Sequence, residues 1–262
     1  MPKKQTDDWP KITIITPSFN QGMYLEHTIK SVVGQNYPNL EYFILDGGST
    51  DNSVKIIKKY ARRYPQIIKW RSHPDTGQIA ALNEGLTRAR GKIIAYLNSD
   101  DYYLDRSLFN AANHFLTHPK THWAYGNCKV TSGQLQWSFI YKKLWPVDRI
   151  PQLLYLLNPI NQPAVFLSKT LTEKVGKFNA KYHYAFDYDY WLRCCKFIAP
   201  TYMPQCLAVF RIHQSAKSTQ GFSKQFDEEL VILRRQQVSA AWQNLHRFHN
   251  LGIKFVYFLL KK

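Results

Sequence analysis

Between residues 11 and 96 short apolar runs alternate with stretches of helical spacing, and this alternation restricts the possible folds more than any other feature of the chain. Residues 11–16 (KITIIT) read as a first strand closed by Pro17, which cannot continue an interior ladder. Leu25, Ile29, Val32 and Val33 then fall at helical spacing over residues 21–34, with Gly34 placed to end the helix. A second strand at 42–45 is followed by a helix at 53–64, which carries Val54, Ile57, Ala61 and Tyr64 on one face and is closed by Pro65. A third strand at 67–71, a helix at 78–90 with Ile79, Leu82 and Leu86 on one side, and a fourth strand at 93–96 complete the series. This order predicts a parallel sheet wound with crossover helices, a nucleotide-binding type of α/β half-domain. Beyond it the pattern loosens, and the aromatic, proline-containing stretch 137–151 suits an acceptor pocket or a lid better than a regular sheet.

The fourth strand delivers LNSDDYYLDR, residues 97–106, to its carboxyl end, where open α/β sheets bind their ligands. Asp100 and Asp101 are adjacent there and repel each other, a repulsion most simply relieved by a divalent cation shared with substrate phosphates. The same residues read equally as a helix cap, Ser99 or Asp100 starting a helix that runs from Ser107. Two further loops should meet this one at the sheet edge, residues 16–20 after the first strand and 46–51 after the second. A carboxylate such as Asp46 can accept hydrogen bonds from a base or a ribose, while Gly47 and Gly48 let the backbone come close. Taken alone, DGGSTD is also an ordinary turn and helix cap through Ser49 or Asp51.

Charge narrows the partners. With 35 Lys and Arg against 18 Asp and Glu the chain carries a formal +17, a field that favours polyanions: nucleic acid, anionic head groups or phosphorylated substrates. Its hydrophobic content of 45 % is that of an ordinary globular protein. No stretch reaches the apolar length needed to span a bilayer, and the polar opening MPKKQTDDWP has no signal-peptide segment behind it, so a cytoplasmic location is expected. Cys128, Cys194, Cys195 and Cys206 lack the paired spacing of a zinc site or disulfide framework and read as reduced packing residues.

Beyond these local readings, the ordered set TPSFN (16–20), LDGGSTD (45–51), HPDTGQIAALNEG (73–85), LNSDD (97–101), NQPAVF (161–166), FDYDYWLR (186–193) and FRIH (210–213) resembles the glycosyltransferases of family 2. The resemblance implies a GT-A fold, a Rossmann-like, mostly parallel sheet flanked by helices, over residues 1–220, followed by a basic helical tail over 221–262. It implies inverting transfer of a sugar from a nucleotide-diphosphate donor, a UDP-sugar foremost, to a hydroxyl acceptor in the synthesis of cell-surface polysaccharide or lipopolysaccharide. By the same resemblance Pro17, Ser18, Asn20, Asp46, Asp75, Gln78, Asn83, Asn98, Asp101 and Arg211 bind the nucleotide-sugar, with Asp46 on the base and Asn98 on the ribose. Asp100 and His213 would hold Mg²⁺ or Mn²⁺ on the diphosphate. Asn98 and Gly47 both stand where many relatives have Asp. Asp187 would be the general base, and Phe186, where the family usually has Glu, is an apolar neighbour that could raise its pKa. The alternative for Asp187 is a cap on a helix over 188–196. Asp189 is expected to support a loop, and Trp191 to pack or to line the acceptor pocket.

Residues 225–235 read as a helix, and 238–260 mix aromatic and aliphatic residues with basic ones. The terminal GIKFVYFLLKK can lie in a membrane interface, which would place the protein peripherally on the inner face of the membrane beside a saccharide or lipid-linked saccharide acceptor, or it can pack on the catalytic domain or a second subunit. No nucleic-acid partner is expected on the transferase reading. The competing reading is a non-catalytic basic module that binds nucleic acid or anionic membrane, and a third is an enzyme that mainly hydrolyses its donor.

Overall fold

The computed structural model describes residues 9–132, 137–142 and 146–260. The alternating half is present as expected: β1 (Ile12–Ser18), α1 (Gly22–Val33), β2 (Leu40–Asp46), α2 (Ser53–Arg63), β3 (Ile68–Ser72), α3 (Gln78–Arg88) and β4 (Ile93–Tyr96). β1, β2, β3 and β4 pair in parallel in the order β3-β2-β1-β4. The chain therefore leaves β1 towards β2 on one side and reaches β4 on the other, and the crevice at this change of direction lies between the loops after β1 and β4. Pro17 does not end β1. It keeps its place opposite Leu45 of β2 because β4 pairs only as far as Ile15, so no strand on the other side needs the missing N–H.

All seven residues of β1 and of β2 are buried, since helices cover both faces of the sheet. The pleat divides them. Ile12, Ile14, Tyr42, Ile44, Ile93 and Ala95 meet Leu25, Ile29, Val32 and Ile57 of α1 and α2, while Ile15, Phe43, Leu45, Ile94 and Tyr96 meet Ile79 and Leu82 of α3.

Past β4 the chain is no longer a repeat of strand and helix. β5 (Tyr102–Tyr103) and α4 (Ser107–Thr117) precede a long hairpin of β6 (Trp123–Ser132) and β7 (Trp137–Tyr141). A short helix α5 (Ile150–Leu153), β8 (Val165–Ser168), α6 (Lys169–Val175), α7 (Phe186–Cys195) and β9 (Thr201–Ile212) follow. β8 runs antiparallel to β4 and to β6, and β9 runs parallel to β6, so β9 points the same way as β4 and carries Arg211 and His213 to the same sheet edge. Part of the region expected to form the acceptor pocket, residues 143–145, lies outside the described residues.

The chain closes with a short turn of helix, α8 (Lys217–Gln220), and with α9 (Phe222–Arg235) and α10 (Ala240–Leu260). Ile232, Leu233 and Val238 enter the same apolar cluster as Trp191 of α7 and Leu82 of α3. The four cysteines are free.

Candidate active site

The acidic loop is held from three sides. Thr28 of α1 donates to the Asp101 carbonyl at 2.6 Å, the Arg211 backbone N–H donates to Asp101 Oδ1 at 3.0 Å, and the Arg211 guanidinium donates to the Asp100 carbonyl. α4 starts only at Ser107, with Arg106 at its N-terminal boundary, so the acidic pair is not its cap. Asp101 is fully buried, and burial together with the charge of Asp100 pushes its pKa well above the usual carboxylate range. Asp100 faces the crevice, with Oδ2 3.1 Å from Nε2 of His213. His213 is itself fixed by Ser215 at Nδ1 (2.9 Å) and by the Tyr24 ring, 4.4 Å away centroid to centroid.

Asn98 starts a hydrogen-bonded chain along the crevice. Gln78 donates to Asn98 Oδ1 at 2.8 Å and accepts from Lys217 Nζ at 2.9 Å. The Lys217 ammonium lies over the Tyr184 and Phe186 rings, and burial lowers its pKa to about 8. Its charge acts on Asp187, in the first turn of α7. Asp187 is partly exposed and caps nothing beyond the next residue, whose N–H it accepts at 2.8 Å. Burial raises its pKa to about 6, with Glu229 of α9 adding to the rise and Lys217 opposing it.

The sequence profile described as glycosyl transferase family 2 matches residues 13–175, more than half the chain and all of the parallel half of the sheet. The chain belongs to glycosyl transferase family 2. It is 27 % identical over 235 residues to an uncharacterized glycosyltransferase of Haemophilus influenzae, covering 87 % of this chain and 90 % of that one. It is also 27 % identical over 186 residues to a PGL/p-HBAD biosynthesis glycosyltransferase of Mycobacterium bovis, covering 71 % and 70 %. Among solved structures, S. aureus TarS 1-349 in complex with UDP-GlcNAc superposes with a TM-score of 0.65 at 17 % identity, covering 91 % of this chain and 71 % of that one. The mannosyltransferase PcManGT of Pyrobaculum calidifontis, in complex with GDP-Man and Mn2+, gives 0.67 at 16 % identity, covering 94 % and 72 %. Of the longer TarS chain this protein spans 41 %. The fold is GT-A.

Within this glycosyltransferase the expected residues divide into two groups. Pro17, Ser18, Asn20, Asp75, Gln78, Asn98, Asp100, Asp187 and His213 stand around the crevice and its loops. Ser18 Oγ is buried at the end of β1 and has no hydrogen-bond partner among the described residues. Asn20, at φ 51°, accepts from the Thr50 N–H at 2.9 Å while its own N–H reaches Ser49 Oγ at 2.7 Å, so it locks the first loop to the second. Asp75 pairs with Arg71 at 2.9 Å and accepts the Gly77 N–H at 2.8 Å.

The other group is engaged within the protein in this structure. Asp46 is fully buried, and its carboxylate accepts from the N–H groups of Gly48 and Ser49 and from the hydroxyls of Ser49 and Ser72, which shapes the loop. Gly48 completes that turn at φ 86°. Asp101 has no exposed surface for a nucleotide. Asn83 spends its amide on the backbone of Phe178, donating at 2.9 Å and accepting at 2.8 Å. Arg211 lies between the rings of Tyr24 and Tyr102 and supports the acidic loop from the α1 side. The turn-and-cap reading of DGGSTD is correct for Asp51, which accepts from Ser53 at 2.9 Å and Gly22 at 2.8 Å. Trp191 is buried and stacks on Trp123 at 5.6 Å, as its packing role requires. Asp189 pairs with Arg193 at 2.8 Å, which in turn donates to the carbonyls of Val175 and Lys177 and so holds the loop after α6.

Sequence reasoning passed over four participants. Lys217 follows the FRIH motif by four residues and looked like one more surface lysine. Gln162 donates to the Tyr96 carbonyl at 2.7 Å and accepts from Asn98, fixing that side chain. Phe19 stands 60 % exposed beside Gly47. Glu228 accepts the N–H groups of His183, Tyr184 and Ala185, at 2.7 to 2.9 Å, and orders the approach to Asp187. The available signals were the aromatic inside TPSFN and the Gln inside NQPAVF.

Proposed function

We propose that this glycosyltransferase transfers a sugar, with inversion, from a nucleoside-diphosphate donor to a hydroxyl acceptor of a cell-surface polysaccharide or lipopolysaccharide. The observation that carries the reading is the placement of two acidic groups on one crevice: Asp100, 3.1 Å from His213, on one side, and Asp187, its pKa raised to about 6, on the other. The donor base rests on the exposed ring of Phe19, the ribose meets Asn98, and the diphosphate lies toward Asp100 and His213. TarS in complex with UDP-GlcNAc makes a UDP-sugar the first candidate donor, and PcManGT with GDP-Man the second.

One carboxylate and one imidazole nitrogen 3.1 Å apart make a donor set that suits Mn²⁺ or Mg²⁺ when donor phosphates and water complete the shell. Such a cation neutralises charge on the diphosphate. The chain's own residues do the rest. The acceptor hydroxyl oxygen attacks the anomeric carbon from the side of Asp187, which takes the hydroxyl proton, while the bond from that carbon to the diphosphate breaks and its electron pair leaves with the nucleotide. Lys217 holds Gln78, and through it Asn98, in place. Its ammonium acts on Asp187 and favours the ionised form of that carboxyl.

Calorimetric titration of UDP and GDP, with and without Mn²⁺, tests the donor half of the reading. Metal-dependent binding of one nucleotide that disappears in Asp100→Ala is the expected result. Polyanion binding that ignores both the metal and this substitution would favour the basic-module reading.

A further inference from the structure

α10 has two faces of different character. On the inner face His246 and Asn250 are buried against Glu229, with His246 Nε2 3.0 Å from Glu229 Oε2 and Asn250 donating to the same oxygen at 3.3 Å. On the outer face Leu245, Phe248, Leu251 and Phe255 stand 50 %, 71 %, 54 % and 62 % exposed. Their spacing of three, three and four residues sets them in one stripe along the helix. Four large apolar side chains in a row differ from the single exposed hydrophobics that any surface carries.

Charge decides what covers this stripe. Residues 239–262 contain no Asp or Glu but include Arg247, Lys254, Lys261 and Lys262. Of these Lys254 is paired with Asp227 at 3.2 Å, and a second copy of the chain would set two molecules of formal charge +17 against each other. An anionic bilayer accepts both features, the apolar side chains at the acyl boundary and the positive charge of the molecule, exposed Arg247 included, toward the head groups. None of the helices in the described residues is long and apolar enough to cross a membrane, so contact would be along the surface.

We infer that α10 docks this protein on an anionic lipid bilayer through Leu245, Phe248, Leu251 and Phe255. The inner face then gives the docking a direction. His246 and Asn250 tie α10 to Glu229, whose charge reaches Asp187, so the membrane-facing helix and the candidate base belong to one packed unit. The inference stands independently of the donor chemistry, because vesicle binding is read without turnover.

The test is co-sedimentation of the full chain with phosphatidylglycerol/phosphatidylcholine vesicles and with phosphatidylcholine vesicles alone, for the native protein and for the triple variant Phe248→Ser/Leu251→Ser/Phe255→Ser. All three positions are exposed and the formal charge is unchanged; circular dichroism verifies the fold. The native chain should sediment with anionic vesicles only, and the variant should bind them roughly tenfold or more weakly. Equal binding by both proteins would show that charge alone is responsible, and would overturn the inference. So would a native protein that ignores both kinds of vesicle, or one that light scattering shows as a dimer that the variant dissolves.

Discussion

A carboxyl group serves as a base near neutral pH only when its surroundings make its charge costly, and Asp187 has such surroundings. Burial and Glu229 raise its pKa to about 6, and the Lys217 ammonium works against them. Because the base must be deprotonated, kcat/KM for transfer should fall as pH drops through about 6. The two neighbours predict opposite displacements of that acid limb: Glu229→Gln removes a repelling charge and moves it to lower pH, whereas Lys217→Met removes a stabilising charge and moves it to higher pH. pH–rate profiles of the two variants check the signs. Asp187→Asn should cost roughly 10²- to 10⁴-fold in kcat while donor affinity by calorimetry stays near native.

At the scale of single elements, α3 shows where local sequence is and is not informative. Its spacing and length could be read directly, as could β1, β2 and β4, because β-branched runs and 3.6-residue periodicity come from local chemistry. The role of Asn83 could not, because its partner is the backbone of a residue 95 positions away. Asn83→Ala should therefore leave donor affinity unchanged and destabilise the fold by about 1 to 3 kcal/mol, since a part-buried amide and carbonyl lose their partners; urea denaturation alongside calorimetry separates the two effects. Gly85 faces Ile15 so closely that a Cβ would stand 2.5 Å from its Cγ2. Gly85→Ala should cost about 1 to 2 kcal/mol, the overpacking exceeding the gain in helix propensity. The mixed half of the sheet was illegible for a different reason. β8, β6 and β9 are short or bulged, and their neighbours are set by long-range pairing that no window of sequence records.

Across the whole molecule the candidate site depends on distant segments meeting. The motifs themselves were legible in order, but the burial of Asp46 and Asp101 and the internal hydrogen bonds of Asn83 and Arg211 could not be read from them. The C-terminal helices join this framework through the buried Glu229–His246 pair. Replacing His246 by Ala should lower stability by about 1 to 3 kcal/mol, because the buried Glu229 carboxylate loses one of its donors and keeps only Asn250 and Gln225, and thermal unfolding would record it. The central claim is sugar transfer, with Asp100 and His213 at the diphosphate and Asp187 as the base. Its most direct test is to incubate the protein with UDP- and GDP-sugars, divalent metal and a panel of saccharide acceptors, and to follow glycosylated product. The account predicts acceptor-dependent product of inverted anomeric configuration from the native chain, and none above background from Asp187→Asn or Asp100→Ala. Product formed at native rates by Asp187→Asn, or product that retains the donor's configuration, would contradict it.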